Sequence, residues 1–493
     1  MPNNSIDNES PIDLANPGDY EPLLRNLQGN IIKDHGRNLA NHIFVTFRDE
    51  PVAMRAWLRA LSGQVTSAWQ QHQDKLAYVA SGRTRDDIPF CSLFLTAAGY
   101  RHLQLETMMP KEIFGNSFRN GMRNSGAALQ DLHFGQWDDP NWREMRAESY
   151  AVHCMILLAN DNEGRLNEDT DRILRDLNGI ARSMFVEKGK MFYQNRDTKR
   201  PQEHFGYVDG ISNPIFLKDD LEDADGYQPD GTRWRFSHWD PFAPLSLVLV
   251  EDPGGDPNED CFGSYLVFRK LEQNVKGFRE AIKKLSTQLN PPHPSAEEQR
   301  SMALVMGRFP NGTPITVEER ELPAPPFKND FKCEAEGGRC PIRGHIRRSN
   351  PRGEIEGLEN ERMRRIVRRG ITYGERSADF SDAPEKDRGI LFMCYQGDIA
   401  KHFEHMQVEW CNWSHGIDTV VGQADSLRNL SSEAQNRNTE WPRIWAETDE
   451  DKSTQLLDWP DAKLLKGFEF GRYVTLKGGE YFFAPSISFL RRI

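Results

Sequence analysis

Hydrophobic residues along this chain follow two patterns, one typical of strands and one typical of helices. Alternating or continuous apolar runs, which favour strands, occupy residues 42–47, 89–97, 150–159, 245–250, 263–270 and 388–395. Apolar residues at helical spacing occupy residues 50–65, 98–105, 169–184, 271–285, 296–305 and 399–410. We interpret the first half as having a strand–helix–strand–strand–helix–strand kind of order, which the second half repeats loosely.

This order predicts an α+β fold of two lobes with antiparallel sheets. Residues 218–244 are acidic and rich in glycine and proline, so we interpret them as a linker. The expected lobes then cover residues 21–217 and 245–493, and residues 1–20 are expected to form a mobile leader. Lys477, Gly478 and Gly479 suggest a hairpin turn near the end of the chain.

The composition of the chain argues against nucleic-acid partners, a membrane span and secretion. The chain has 493 residues and a net charge of -12, which disfavours nucleic-acid partners because phosphate backbones are repelled. No apolar run approaches the roughly 18 residues that a membrane span needs. The polar N-terminal residues do not have the pattern of a secretion signal. We therefore expect a cytoplasmic protein with no membrane partner.

The seven cysteines are an odd, scattered set, which favours reduced thiols over a disulfide framework. Cys333, Cys340 and His345 have a spacing that invites comparison with a zinc knuckle. That spacing fits no usual zinc finger, and a fourth ligand is not evident. The sequence contains no CxxCH motif, which excludes covalent attachment of a c-type haem.

Residues 340–374 hold one histidine, His345, among many arginines. The arginines are Arg343, Arg347, Arg348, Arg352, Arg362, Arg364, Arg365, Arg368 and Arg369. Nearby positive charge keeps an imidazole neutral, and neutral imidazole is a metal ligand. An anionic iron porphyrin would satisfy the histidine and the arginines together. A solvated basic loop with an incidental histidine is the alternative.

Asp209 lies in the segment Gly206–Gly210, which reads GYVDG. Glycines on both sides allow a tight backbone that can approach a ligand closely and present the carboxylate. An ordinary Asp-Gly turn is the other interpretation, and this short motif does not decide between them.

Five motifs that follow one another along the chain favour a functional role for Asp209 over an ordinary turn. They are HFGYVDGISNP, GSYLVFRKL, RCPIRGHIRRSNPR, IVRRGITYG and RGILFMCYQGDI. Together with LQGNIIKDHGR near residue 27, they resemble the dye-decolorizing peroxidases, specifically their larger, more complex bacterial subclass. The resemblance implies two ferredoxin-like lobes, each with a four-stranded antiparallel sheet and peripheral helices. It also implies one non-covalent haem b in the C-terminal lobe.

The resemblance assigns roles to particular residues. His345 corresponds to the proximal iron ligand, Asp209 to the distal acid–base residue and Arg368 to the distal arginine. Arg369 is the alternative to Arg368 if the alignment shifts by one residue. The implied activity is oxidation of bulky aromatic or phenolic donors and dyes by hydrogen peroxide, in one-electron steps through a ferryl intermediate.

Further roles concern the surroundings of the haem. A carboxylate should accept the second N–H of His345, and Asp398, Glu404 and Glu409 are the candidates. Arg347 and Arg348 are expected either to pair with haem propionates or to lie solvated on the surface. Leu391 and Met393 are expected to form the apolar pair of the distal pocket.

Three functions therefore stay under consideration. A peroxidase needs His345 together with Asp209 and Arg368. A non-catalytic haem-binding or haem-carrier protein on the same scaffold needs only the histidine. A zinc or nucleic-acid-binding module follows from the basic stretch alone. The oligomeric state is left open.

Overall fold

The computed structural model describes most of the chain. The described residues are 10–82, 88–129, 131, 139–144, 151–193, 200–222, 237–288, 294–323, 329–334, 337, 339–376, 386–413, 418–421 and 470–493. Within these ranges, no helix is both long enough and apolar enough to cross a membrane.

The described residues form ten strands. They are β1 (Leu39–Phe47), β2 (Phe90–Leu95), β3 (Cys154–Asn160), β4 (Ala181–Lys190), β5 (Val250–Glu251), β6 (Phe262–Gln273), β7 (Val367–Arg368), β8 (Ile371–Tyr373), β9 (Gly389–Gln396) and β10 (Val474–Ala484).

The helices surround this sheet. They are α1 (Tyr20–Asn26), α2 (Pro51–Leu61), α3 (Ala68–Ala80), α4 (Ala97–His102), α5 (Ser117–Asn120), α6 (Met122–Leu129), α7 (Pro140–Glu144), α8 (Glu163–Leu177), α9 (Lys218–Glu222), α10 (Val275–Gln288), α11 (Pro294–Met306), α12 (His345–Ser349), α13 (Leu358–Arg362) and α14 (Ile487–Arg492). A π-helical segment covers Ala400–Glu404 and Met406–Trp413.

The strand order is β4-β1-β3-β2-β10-β6-β9-β7, with β5 beside β6 and β8 beside β9. Each neighbouring pair is antiparallel. The first four strands have the ferredoxin-like order, in which the fourth and first are neighbours and the third and second follow. Strands β10, β6, β9 and β7 repeat that order, so the predicted two-lobed α+β fold is confirmed.

The two half-sheets join at their edges, where Phe483 of β10 lies opposite Leu95 of β2. This junction makes one continuous sheet and removes two exposed strand edges. The residues of β1 from Ala40 to Phe47 are buried, as expected for a central strand covered on both faces.

Local sequence signals explain several helix starts in the first lobe. Pro51 stands at the beginning of α2, where its missing N–H costs no hydrogen bond. Ser67 caps α3 by accepting from Gln70 N, and Asn162 caps α8 by accepting from Arg165 N. Helices α2 and α8 then bury their apolar sides against the sheet.

Two expectations from the sequence require correction. Part of the leader expected over residues 1–20 packs onto the fold, because Ile12 is buried and its N–H donates to Phe216 O at 2.9 Å. Residues 1–9 lie outside the described residues, as do residues 223–236 of the expected linker. The expected hairpin at Lys477 is instead a bulge within the long strand β10.

Close packing explains the glycines of this bulge. A Cβ atom at Gly478 would lie 2.1 Å from the Trp142 ring. A Cβ atom at Gly479 would lie 2.6 Å from the carbonyl oxygen of Phe268. These glycines therefore permit close approach within a strand, which a sequence pattern cannot distinguish from a turn.

Candidate active site

His345 is the first residue of α12 and follows a turn that ends at Gly344. Its Nδ1 lies 2.8 Å from Asp418 Oδ2. The Asp418 side chain is fully buried, and its Oδ1 accepts from the N–H groups of Val420 and Val421. Burial alone would lower the pKa of His345, but the charge and hydrogen bond of Asp418 raise it above its ordinary value. This contact orients the ring and leaves Nε2 without a hydrogen-bond partner among the described residues.

The carboxylate partner of His345 was therefore predicted wrongly. Asp398 Oδ2 accepts from the N–H groups of Ile113 and Phe114. Glu404 accepts from the hydroxyls of Ser117 and Tyr481. The structure places neither of these carboxylates, nor Glu409, on the His345 imidazole; Asp418 occupies that position instead.

Asp209 and Arg368 form an ion pair, with Arg368 Nη1 donating to Asp209 Oδ1 at 2.6 Å. Both side chains are about one-third exposed, at 36% and 33%. Arg368 Nη2 also donates to Ile211 O at 2.8 Å, so the guanidinium bridges the carboxylate and the following backbone. The aspartate and the arginine predicted from the sequence are thus in direct contact.

The backbone around this pair is arranged by two glycines and one asparagine. Gly206 has φ 105° and Gly210 has φ 83°, both in the region that favours glycine. The Asn213 side chain accepts from Arg368 N and donates to Arg368 O, at 3.2 and 3.3 Å. These contacts hold the short strand β7 against the Asp209 turn.

One cavity, of about 280 Å³, is lined by His345, Asp209 and Arg368. Most of its exposed wall is apolar, with Phe392, Phe403 and other hydrophobic side chains. A second cavity, of about 220 Å³, shares Asp209 and Arg368 with the first but has a more polar wall. The acid–guanidinium pair therefore stands between the two cavities.

Comparison with known proteins shows to which family the chain belongs. A family model described as Dyp-type peroxidase, C-terminal, matches residues 305–454. Multifunctional dye peroxidase DyP2 of Amycolatopsis sp. is 32% identical, over 98% of this chain and 100% of that protein. The chain belongs to the dye-decolorizing peroxidases. Its enzyme class is therefore peroxidase, and the resemblance found from the motifs is confirmed.

Two further dye-decolorizing peroxidases extend this result. The solved DyP-type peroxidase of Anabaena sp. has a TM-score of 0.82 and 34% identity, covering 98% of this chain and 97% of that one. Dye-decolorizing peroxidase msp1 of Mycetinis scorodonius is 26% identical over 95% of this chain and 87% of that protein. The likeness therefore extends over both lobes.

Dye-decolorizing peroxidases are haem proteins, and the donor set of the larger cavity fits such a group. His345 offers a free Nε2 on one wall, and the apolar side chains suit a porphyrin ring. Arg308 also lines this cavity and is 4% exposed. It donates to Gly312 O, Ser212 Oγ and Asn329 Oδ1, but to no carboxylate among the described residues. A buried guanidinium without a counter-charge suits an anionic ligand.

Arg308 was missed from the sequence, whereas Arg347 and Arg348 were predicted to face the haem. Both of these arginines are buried, at 1% and 0% exposure, and both donate to Glu354. They do not line the cavity. Burial against Glu354 excludes the alternative of a solvated surface, and a position off the cavity wall gives the expected propionate contact no support.

The structure also places a different apolar pair at the cavity from the one expected from the sequence. Leu391 and Met393 are 0% and 1% exposed and belong to the core on the opposite face of β9. Ile390 and Phe392 line the cavity instead. A shift of one residue reverses the face of every side chain in a strand, so an aromatic ring stands where a thioether was expected.

Arg369 lines the second cavity but not the first, and the histidines His204 and His405 line neither. Arg369, the alternative to Arg368, donates to Asn30 O and Ile31 O. His405 Nε2 contacts Glu356, and His204 Nε2 contacts Tyr373 O. In the described part of the chain, no three or more His, Cys, Asp or Glu residues form a cluster that could hold a metal ion. The geometry therefore gives the zinc alternative no support.

Proposed function

We propose that this dye-decolorizing peroxidase binds one haem b non-covalently and uses hydrogen peroxide to oxidise bulky aromatic or phenolic donors and dyes in one-electron steps. The observation that carries the proposal is the arrangement of one cavity. His345 lies on one part of its wall, and the Asp209–Arg368 pair lies on another. A haem carrier would need only the histidine, so the presence of the pair favours catalysis.

The proposed haem site uses residues of the second lobe. His345 Nε2 would bind the iron, with Asp418 holding the ring and making the nitrogen more basic. Arg308 would compensate the charge of a propionate. When bound, haem supplies the iron redox chemistry that amino-acid side chains lack.

Asp209 would move the proton of the peroxide. Its carboxylate takes a proton from one peroxide oxygen and delivers it to the other, which then leaves as water. Arg368 supplies a positive charge next to Asp209 Oδ1 and near the oxygen on which negative charge develops. Because Gly210 N also donates to Asp209 Oδ1 at 2.6 Å, Oδ2 is the oxygen better placed to receive the proton.

Substrates of different size would reach the site by different routes. The second cavity leads to Asp209 and Arg368 and has room for a molecule as small as peroxide. A bulky dye would have little room beside a porphyrin in the 280 Å³ cavity. Such donors would transfer electrons at the protein surface, through some of the 11 Trp and 12 Tyr residues of the chain.

Absorption spectroscopy of the purified protein tests the proposal. We expect a Soret band, a change of that band on addition of one equivalent of peroxide, and recovery when a phenol is added. A Soret band that does not respond to peroxide would favour the haem-carrier alternative. Absence of the band after reconstitution with haemin would contradict haem binding. The cytoplasmic location expected from the sequence stays a prediction, which cell fractionation tests.

A further inference from the structure

The motif LQGNIIKDHGR near residue 27 has no role in the proposed reaction, yet many contacts hold it in the first lobe. The Gln28 side chain donates to Leu93 O at 2.8 Å and accepts from Leu93 N at 2.9 Å. A Cβ atom at Gly29 would lie 2.7 Å from Gln71 Oε1, so the segment packs closely against α3. These contacts make the motif a fixed part of the first lobe.

Asn30 fixes the turn from which this motif meets the second lobe. Its φ of 69° is in the left-handed region, which asparagine adopts more readily than most residues. Asn30 N donates to Gln71 Oε1 at 2.8 Å, and Asn30 Oδ1 accepts from His35 N at 3.1 Å. The carbonyl oxygens of Asn30 and Ile31 then both accept from one guanidinium, that of Arg369.

The Arg369 guanidinium uses all three of its nitrogens to join the two lobes. Nε donates to Asn30 O at 2.9 Å, and Nη2 donates to Ile31 O at 3.1 Å. Nη1 donates to Arg368 O at 2.9 Å. A guanidinium presents its donors in a rigid planar fork. One side chain therefore links two carbonyls of the first lobe to the backbone of the arginine that pairs with Asp209.

The backbone of Arg368 depends on contacts from outside its own strand. Strand β7 has only two residues and stands at one edge of the sheet, where it pairs with β9. Asn213 holds Arg368 through its N–H and its carbonyl oxygen. Arg369 provides a second donor to that carbonyl oxygen. The main chain of Arg368 is thus fixed between the Asp209 turn and the first lobe.

The second cavity lies where these contacts converge. Asn30 of the first lobe lines it, together with Asp209, Arg368 and Arg369. Arg369 therefore stands on the same cavity wall as the pair whose geometry it supports.

We propose that Arg369 is a positioning residue of the peroxidase site, which holds Arg368 against Asp209 by tying the Arg368 backbone to the first lobe. This role rests on the proposed function, in which Arg368 takes part in the reaction with peroxide. It also gives the first lobe a part in that reaction, because the motif LQGNIIKDHGR supplies the carbonyls to which Arg369 is anchored.

The physical reason is the sensitivity of the site to small displacements. If the Arg368 backbone moves, Nη1 leaves its position 2.6 Å from Asp209 Oδ1, and its positive charge moves away from the oxygen on which negative charge develops. A displacement of about 1 Å at a reacting group can cost on the order of 10²-fold in rate. The oxidation of donors at the protein surface does not use Arg368, so it should not depend on Arg369.

Steady-state kinetics of the holoenzyme tests this role. Arg369→Met removes the guanidinium but keeps an unbranched side chain. We expect kcat/KM for peroxide to fall by up to about 10²-fold, with kcat/KM for a dye and the haem content at their wild-type values. Arg369→Lys should lie between the two, because an ammonium group can still donate to a carbonyl. Arg55→Met is the matched control, since Arg55 also donates to a backbone carbonyl, Leu103 O, away from both cavities.

A double-mutant cycle tests whether Arg369 acts through Arg368. If it does, adding Arg369→Met to Arg368→Ala should lower kcat/KM for peroxide no further, because the group that it positions is already missing. Multiplication of the two single effects would show that Arg369 acts independently, and would overturn the proposed role.

Hydrogen exchange gives a measurement that does not depend on turnover. In Arg369→Met, exchange should become faster in peptides that cover residues 29–32 and 367–371, because the link between them is lost. Exchange in α8 should stay at the wild-type rate. Faster exchange throughout the chain would indicate a general loss of stability and would overturn the positioning role.

The outcomes separate this role from the proposed function. A wild-type kcat/KM for peroxide in Arg369→Met would overturn the positioning role and leave the peroxidase intact. Equal losses in kcat/KM for peroxide and for the dye would also overturn it. A wild-type protein that binds haem but does not consume peroxide would overturn the proposed function, and hydrogen exchange would then decide whether Arg369 holds Arg368 in place.

Discussion

The two lobes share one strand order but use the space above their sheets differently. In the first lobe, Met54 and Leu58 of α2 and Ile173 and Leu177 of α8 are almost fully buried in the same core as the β1 strand. In the second lobe, the equivalent face of β6, β9 and β10 lines the 280 Å³ cavity. The same topology thus gives a filled core in one lobe and a binding site in the other.

The difference arises from where the helices of the second lobe pack. Helix α10, which follows β6 as α2 follows β1, packs with Phe278 against Phe205, whose ring centroid lies 4.0 Å away. The π-helical segment that replaces α8 places Phe403 and Met406 on the cavity wall. A π-helix is wider than an α-helix and is common at functional sites. Helix position, rather than strand order, therefore determines which lobe can hold a cofactor.

The largest expected effect follows from removing the imidazole of His345, the proposed iron ligand in the second lobe. His345→Ala should abolish the Soret spectrum of an imidazole-ligated haem, because the variant lacks the Nε2 atom that is proposed to bind the iron. Haemin titration followed by absorption measures this loss. His238→Ala is a matched control, since His238 is partly exposed and contacts Asp330 outside the cavity. Retention of the wild-type spectrum by His345→Ala would refute the ligand assignment.

The next effect concerns proton transfer. Asp209→Asn should slow the reaction with peroxide by about 10²- to 10⁴-fold, because the amide cannot accept the proton. Stopped-flow absorption measures the rate, and the haem content should stay at the wild-type value. Asp13→Asn is the control, because Asp13 also pairs with a basic side chain but lies away from the cavity. An unchanged rate in Asp209→Asn would remove its catalytic role.

Motif positions explain why these two residues could be predicted. His345 and Asp209 each lie in a motif that resembles the dye-decolorizing peroxidases, and this resemblance, rather than the short segments alone, assigns their roles. The two-lobed outline could be predicted as well, although residues 181–184, expected in a helix, belong to β4, and residues 245–247, expected in a strand, form a 3-10 helix. These features depend on residues that are close in sequence.

Residues that depend on distant contacts could not be predicted in the same way. Asp418 reaches His345 from 73 residues away, in a segment without strand or helix periodicity. Leu391 and Met393 lie in a continuous apolar run, so no alternation shows which face of β9 meets the cavity. Arg308 is a single arginine in a turn, and its importance follows only from its burial without a carboxylate.

Shortening one apolar side chain in each lobe tests the contrast between the close-packed core of the first lobe and the cavity of the second. Ile173→Ala should lower the free energy of unfolding by about 2–5 kcal/mol, because it opens a void in a close-packed core. Ile390→Ala should lower it less, because Ile390 is only partly buried and already borders the cavity. Chemical denaturation followed by fluorescence compares them. Equal losses would show that the second lobe is packed as tightly as the first.

A smaller effect is expected at the partner of the histidine. Asp418→Asn should weaken haem binding by about 10- to 100-fold, as is typical when the orienting group of a metal ligand is changed. Asp398→Asn is the informative control, because Asp398 accepts from the 113–114 backbone and not from His345. Haemin titration of both variants decides between the two carboxylates, and a larger effect at Asp398 would contradict the assignment.

The smallest effect concerns Glu112, at the contact between the two lobes. Glu112 accepts from Phe118 N and from Ile399 N. Burial, with the charges of Asp398 and Glu404, raises its pKa to about 8. The unfolded chain releases this proton near pH 4.3, so the folded state binds it more tightly. The resulting stabilisation is complete below that pH and is lost as the pH rises toward 8.

Glu112→Gln should therefore be less sensitive to alkaline pH than the wild-type protein. Between pH 5 and pH 8, the stability difference between the two should shift in favour of Glu112→Gln by on the order of 1 kcal/mol, because solvent screens part of the effect. Thermal denaturation at both pH values measures this shift. Glu168→Gln, an exposed glutamate of α8, controls for general pH effects. Parallel pH profiles for the wild type and Glu112→Gln would show that this carboxyl is already ionised in the folded protein.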